Sequence, residues 1–191
     1  VTASVSTSNK VSIGAGGHAV LEVDLVGSGV TSSNNRALVV SNPDGSLVLA
    51  IREGDTVNGG TYHSNAQAVI DGSGRIAFRA DMSGLSSGSG LILSGSAGSL
   101  SVIAAPGDDV SGDFGAGATI TFVGPPRMND GGVMAFPAQV SMGSGRFSAI
   151  YTSTGSGKTL AVRSGEPYPG IPGDGTEEFQ RIDFGTDFMI N

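Results

Sequence analysis

Short apolar runs, many alternating with polar residues, are cut by turns rich in Gly, Asp, Asn and Ser along the whole chain. Alternation at period two predicts strands with one buried face, and no long stretch keeps the period of a helix. The runs recur. GAGGHAVLEVDL (14–25), DGSGRIAFRADM (71–82) and NDGGVMAFPAQV (129–140) align without gaps on Gly17, Gly74 and Gly132, a spacing of about sixty residues. Four residues after each glycine stands a large apolar side chain, Leu21, Phe78 or Phe136, which is assigned to the core. A second set, SLVLAIREGD (46–55), SLSVIAAPGD (99–108) and TLAVRSGE (159–166), ends each time in Gly followed by Asp55, Asp108 or Glu166. Before each of these lies another apolar run, RALVV (36–40), GLILS (90–94) or FSAIY (147–151), and a tight polar turn.

One repeat therefore holds four strand types. Types a and b are the last two sets, joined as a hairpin. Type c is the variable segment at 61–70, 118–126 and 178–190, and type d is the glycine-anchored strand. Cut in this order, the chain is one domain: an N-terminal closing strand (1–25), repeats at 36–83 and 89–141, and an incomplete repeat at 147–191 without its own d. The fold expected is all-β, with antiparallel four-stranded units arranged as a small β-propeller or β-prism-like assembly of about three blades. The N-terminal strand would complete the last sheet, in the same molecule or in a neighbour. Val20, Leu21, Val23 and Leu25 are then the donor side of a strand-complementation interface, and Phe184, Phe188 and Ile190 the acceptor side. Phe179, Phe184 and Phe188 are assigned to the core once that sheet is complete.

The spacing N-x-x-G-x-x-A-F is met in full by Asn129, Gly132, Ala135 and Phe136, and with Asp for Asn by Asp71, Gly74, Ala77 and Phe78. AIREGD (50–55) and AVRSGEPYPG (161–170) look like Arg-x-Gly-Asp-x-x-Pro-Gly loops. In these motifs the chain resembles the tandem NxxGxxAF-repeat proteins, bacterial surface or secreted proteins of undefined activity. The first copy departs from the pattern, with Gly14 for Asn and Val20-Leu21 for Ala-Phe. The resemblance implies a β-rich repeat fold and an extracellular setting, and it brings no catalytic residues.

Composition narrows the function further. The 191 residues include 32 Gly and no Cys or Trp, with 38% hydrophobic residues. Without Cys there are no disulfides and no thiolate metal sites. A net charge of −7, with Lys10 and Lys158 the only lysines, repels phosphate backbones, so no nucleic-acid partner is expected. No apolar run approaches the roughly 18–20 residues that span a bilayer, so no membrane insertion is expected. The opening Val1, with no Met, reads as a processed start and fits secretion.

Candidate chemistry is thin. GSGKT (155–159) matches the end of a phosphate-binding loop, but Thr152 stands where its first glycine should be, and the segment aligns with hairpin turns of the other repeats. Lys158 reads as an incidental charge on such a turn. Asp55, Asp108 and Glu166, two of them with Arg52 or Arg163 three residues earlier, read as loop-pinning pairs, or as a ring of ligand sites. Asp108, Asp109 and Asp113 share one Gly-rich loop and are the candidate ligands of a Ca²⁺ ion, the one cofactor left open. His18 and His63 fall at different repeat positions, and no G-x-S-x-G elbow accompanies them. A carbohydrate-binding, lectin-like module is the alternative, although only Tyr62, Tyr151 and Tyr168 could supply ring platforms beyond Phe. The expectation is a secreted or cell-surface protein, not an enzyme. Its role would be structural, self-assembling or adhesive, its partner itself or other surface components, with head-to-tail polymerisation by strand complementation.

Overall fold

The computed structural model describes residues 2–4, 11–85 and 90–166. The chain is all-β, in three antiparallel sheets. Sheet 1 places β1 (Thr2–Ser4) and β2 (Val11–Ile13) on one edge of β3 (Ala19–Val26), with β4 (Arg36–Ser41) and β5 (Leu47–Arg52) following on the other. Sheet 2 is a meander of β6 (Thr56–Val57), β7 (Gly60–Ile70), β8 (Ile76–Ser83), β9 (Leu91–Ser96) and β10 (Ser99–Ala104). Sheet 3 places β11 (Thr119–Val123) and β12 (Arg127–Met128) on one edge of β13 (Met134–Met142), then β14 (Gly145–Ser153) and β15 (Thr159–Arg163). One helical turn, α1 (Ser111–Phe114), precedes sheet 3 and buries Phe114.

Types a, b and d fall where the sequence places them, but β1 and β2 supply a strand c before the first d that the sequence reading lacked, and the sheets cut the order in a different phase. Each sheet runs c-d-a-b, so every strand d pairs with the strand a that follows it. Antiparallel neighbours in sequence pair readily because a short turn brings their edges together; β13 and β14 are in register up to Met142 and Gly145. This overturns the closing role of the N-terminal strand. Val20 and Leu21 lie on β3 between β2 and β4, Val23 pairs Ala37 of β4, and Leu25 pairs Ala3 of β1. A strand with both edges occupied has no ladder groups left to donate. Sheet 3 has c, d, a and b strands of its own in β11–β15. Phe179, Phe184, Phe188, Ile190 and Tyr168 lie outside the described residues.

Sheet 2 shares a core with each of the other two sheets. One core joins sheets 1 and 2 through Val20, Leu38, Val40 and Ile51 against Ile76, Phe78, Leu91 and Leu93. The other joins sheets 2 and 3 through Ala77, Ile92 and Ile103 against Met134, Phe136, Val140 and Tyr151. Successive residues of β8 and β9 thus serve opposite cores, as strand alternation requires. A sheet covered on both sides reads as a continuous apolar run, and LILS in β9 is buried throughout. Among the described residues no core cluster joins sheet 1 to sheet 3, which meet instead at a turn, where Ala15 N donates to Asp130 Oδ1.

In sheets 2 and 3 strand c is interrupted partway along its strand d: β7 has register shifts beside Tyr62 and Ala66, and β11 and β12 are separate. In sheet 3 this interruption accommodates Pro137 in the middle of β13. Its carbonyl accepts from Gly124 N at 2.8 Å, on the side where β11 has ended. The missing proline N–H therefore faces a gap in the ladder, the place where a central strand tolerates it.

Candidate functional site

The N-x-x-G motif is a turn closed by its own first side chain. Asp71 Oδ1 accepts from Ser73 N at 2.8 Å, Ser73 Oγ at 2.7 Å and Arg75 N at 2.9 Å. Asn129 Oδ1 accepts from Val133 N at 2.9 Å. Asp and Asn suit this position because a short carboxylate or amide oxygen reaches the backbone a few residues on. The fourth residue must be left-handed, and Gly17, Gly74 and Gly132 have φ of 82°, 87° and 76°.

The three turns meet one another. Ala15 N donates to Asp130 Oδ1 at 2.9 Å, linking the first turn to the third. A Cβ on Gly14 would overlap the carbonyl of Asp71, and one on Gly16 would overlap that of Gly72. The first copy therefore has Gly14 where the others have Asp or Asn, because its turn backbone lies directly on the second. Arg75 ties the cluster to sheet 3, donating from Nη2 to Gly132 O and from Nη1 to Thr154 O. Its Nε stands 3.3 Å from Asp71 Oδ2. Asp71 is 3% exposed. Burial pushes its carboxyl upward, but the Ser73 hydroxyl, the N–H groups of Arg75 and Ser73 and the Arg75 charge together hold it below the usual carboxylate range.

Beside these turns is a cavity of about 560 Å³. It is lined by one matching pair from each strand c, Ser12–Ile13, Val69–Ile70 and Arg127–Met128, with 129–131 at its rim. The positions match but the chemistry does not repeat. Arg127 Nη1 donates to Gln67 Oε1 at 2.9 Å, and Asn129 Oδ1 and Asp130 Oδ1 already hold backbone N–H groups.

The other residues singled out in the sequence do structural work. Asp55 Oδ2 accepts from Arg52 N at 2.7 Å, Asp108 Oδ2 from Ala105 N at 3.1 Å and Glu166 Oε2 from Arg163 N at 3.4 Å. Each repeating carboxylate closes its own turn, so the loop-pinning reading holds, with the backbone as the common partner. Of the two arginines, Arg163 adds a side-chain ion pair to Glu166 at 3.1 Å, while Arg52 Nε donates to Asn34 O. Asp108, Asp109 and Asp113 do not converge on a cation. Asp109 Oδ1 accepts from Ser111 N, and Asp113 Oδ2 from the Tyr151 hydroxyl at 3.1 Å. Among the described residues no three His, Asp or Glu side chains are grouped to hold a metal. His63 Nε2 shares a hydrogen bond with Ser83 Oγ, and the His18 ring packs over Gly74.

The phosphate-loop resemblance dissolves into the turn between β14 and β15, with a strand and no helix after Lys158. Lys158 is nevertheless more than incidental: its Nζ lies 2.6 Å from Asp108 Oδ2 and joins that turn to the one before sheet 3. Both side chains keep some contact with water, so the pair stabilises by at most about 1 kcal/mol. Lys158→Met is expected to lower the melting temperature by about 2–4 °C, the shift that 1 kcal/mol produces in a chain of this size. A thermal melt followed by circular dichroism measures it, and a drop several times larger would show that the two turns depend on this pair.

Two features escaped the sequence. Arg75 has His18 and Val133 at its matching positions, so no repeat signal marks it. The second is the apolar outer face of sheet 1, where Ile13 is 72%, Leu47 67% and Leu49 49% exposed. The unbroken LVLAI (47–51) signals burial on both faces, yet one face is bare. No curated protein and no solved structure matches the chain. One family model does, over residues 1–191, and by that match the chain belongs to the DUF7453 family, a family of unknown function.

Proposed function

We propose that the chain is a non-enzymatic, extracellular structural module that self-associates or adheres through its sheet faces. The observation that carries this reading is the bare apolar face of sheet 1, with Val11, Ile13, Leu47 and Leu49 each about half exposed or more. Contiguous exposed apolar surface of this kind marks interaction sites in folded proteins. The polar side chains support the same reading, because the repeating carboxylates, the turn amide and Lys158 are each spent on a turn or on joining turns. Strand lending gives way to face packing as the means of association, since both edges of β3 are occupied. The extracellular setting rests on the NxxGxxAF resemblance.

Sedimentation velocity across a concentration series tests the proposal. The weight-average sedimentation coefficient is expected to rise with concentration. It should rise further in high salt, which screens the −7 charge of each copy. A single monomeric species at every concentration and ionic strength, together with no adhesion to a hydrophobic surface, would sink it.

A further inference from the structure

Among the described residues the large apolar side chains left exposed all lie on sheet 1, Phe122 apart, and the Arg79 guanidinium stands 5.4 Å from the centre of the Phe122 ring. The other sheet faces are in use. Sheet 2 gives residues to both cores. Sheet 3 packs one face on sheet 2, and on its other face Ala135 is 5% exposed and Pro137 is buried. Sheet 1 buries Val20, Leu38, Val40 and Ile51 against sheet 2, and strand alternation turns the residues between them outward.

The register sets these outward residues in two adjacent rows across β2 to β5, Val11–Leu21–Val39–Leu49 and Ile13–Ala19–Ser41–Leu47. Neither row holds a charged side chain, in a chain of net charge −7. Like charges set against each other disfavour an interface, and a copy of this face brings none. An apolar sheet face packs well on another apolar sheet face, as in both cores of the molecule. Among the described residues the chain has one such face left, so two copies meeting sheet to sheet must use it twice.

We propose that the bare face of sheet 1 is a two-fold interface, packed against the same face of a second copy of this chain. The proposal rests on the self-association reading above and names its face and its stoichiometry. The contact is isologous, so it consumes the face in both copies and closes at the dimer.

In sedimentation velocity the full-length wild type is expected to pass from monomer to dimer with concentration and to stop there. Ile13→Glu/Leu47→Glu puts two carboxylates on the face and should raise the dimer dissociation constant at least about 30-fold, the effect of losing an interface hot spot. Circular dichroism melts establish that this variant is folded, and Leu49→Glu on the same face replaces it if it is not. Fluorescently labelled, the blocked chain should not co-sediment with unlabelled wild type, because a dimer needs two intact faces. The absence of Cys from the chain allows a second readout. Val39→Cys, in the middle of the face, should be linked to its own copy by a short bis-maleimide, and Thr121→Cys on the exposed side of β11 should not. Undiminished dimers of the blocked chain, its capture by wild type, wild-type species larger than a dimer, or equal linking of the two Cys variants overturns the two-fold face while leaving self-association intact. A wild type that never associates overturns both.

Discussion

Replacing Asp71 by Ala is expected to destabilise the chain by about 3–5 kcal/mol, the cost of stranding the partners of a buried charge. At 2–4 °C per kcal/mol for a chain of this size, the melting temperature should fall by roughly 6–20 °C. The change leaves Arg75 N, Ser73 N and Ser73 Oγ without their common acceptor and removes the anion beside Arg75. Asp71→Asn separates the two roles. It keeps the amide oxygen that Asn129 uses in the third turn and loses only the charge, so it should cost less than half as much. The acid limb of the stability curve supplies the second readout. The folded-state carboxyl sits below its ordinary value, so folding releases protons there. Its contribution is whole above about pH 4 and drains away as the pH falls through the folded-state pKa. Urea titrations of wild type and Asp71→Asn between about pH 3 and 7 should therefore converge toward the acid end. Equal losses for Ala and Asn at neutral pH would show that the turn does not need its side-chain acceptor.

Phe136→Ala should cost a similar 3–5 kcal/mol or so, the usual range for emptying a buried aromatic site. Phe136 is fully buried, and it pairs across the strands with Tyr151, the rings 5.9 Å apart and 19° from parallel. The cavity would open beside the Tyr151 ring, whose hydroxyl donates to Asp113 Oδ2. Burial, and then the Asp113 charge and hydrogen bond, push the Tyr151 phenol well above its ordinary value. Folding thus holds this proton more tightly. The contribution is whole below about pH 10 and is lost as the pH rises beyond it. Because the chain has no Trp, alkaline difference absorbance reports its three tyrosines directly. In wild type Tyr151 should ionise late, with unfolding. In Phe136→Ala it should ionise nearer pH 10, as water reaches the ring. A melting temperature within about 2 °C of wild type would mean that Phe136 fills no essential volume.

Much of the local structure was legible in the chain. The alternation of RALVV and SLVLAI predicted a hairpin, and β4 and β5 form it. Gly17, Gly74 and Gly132 marked left-handed turns, and Asp71 and Asn129 the side chains that close them. These signals are short in range: period-two alternation, a positive φ and a side chain bonding its own turn all act within a few residues. The same short range explains the errors. Asp108, Asp109 and Asp113 are neighbours in sequence, but each turns to a different partner. Lys158 looked solitary because its carboxylate is fifty residues away. A strand has two equivalent edges and two faces, and its own residues do not say which neighbour takes each. The sequence by itself determined the strands, their turns and the period of the repeat. Only the tertiary structure decided that strand d joins the strand a after it, that sheet 2 is covered twice, and that sheet 1 keeps a bare apolar face. Those choices depend on contacts between residues tens of positions apart.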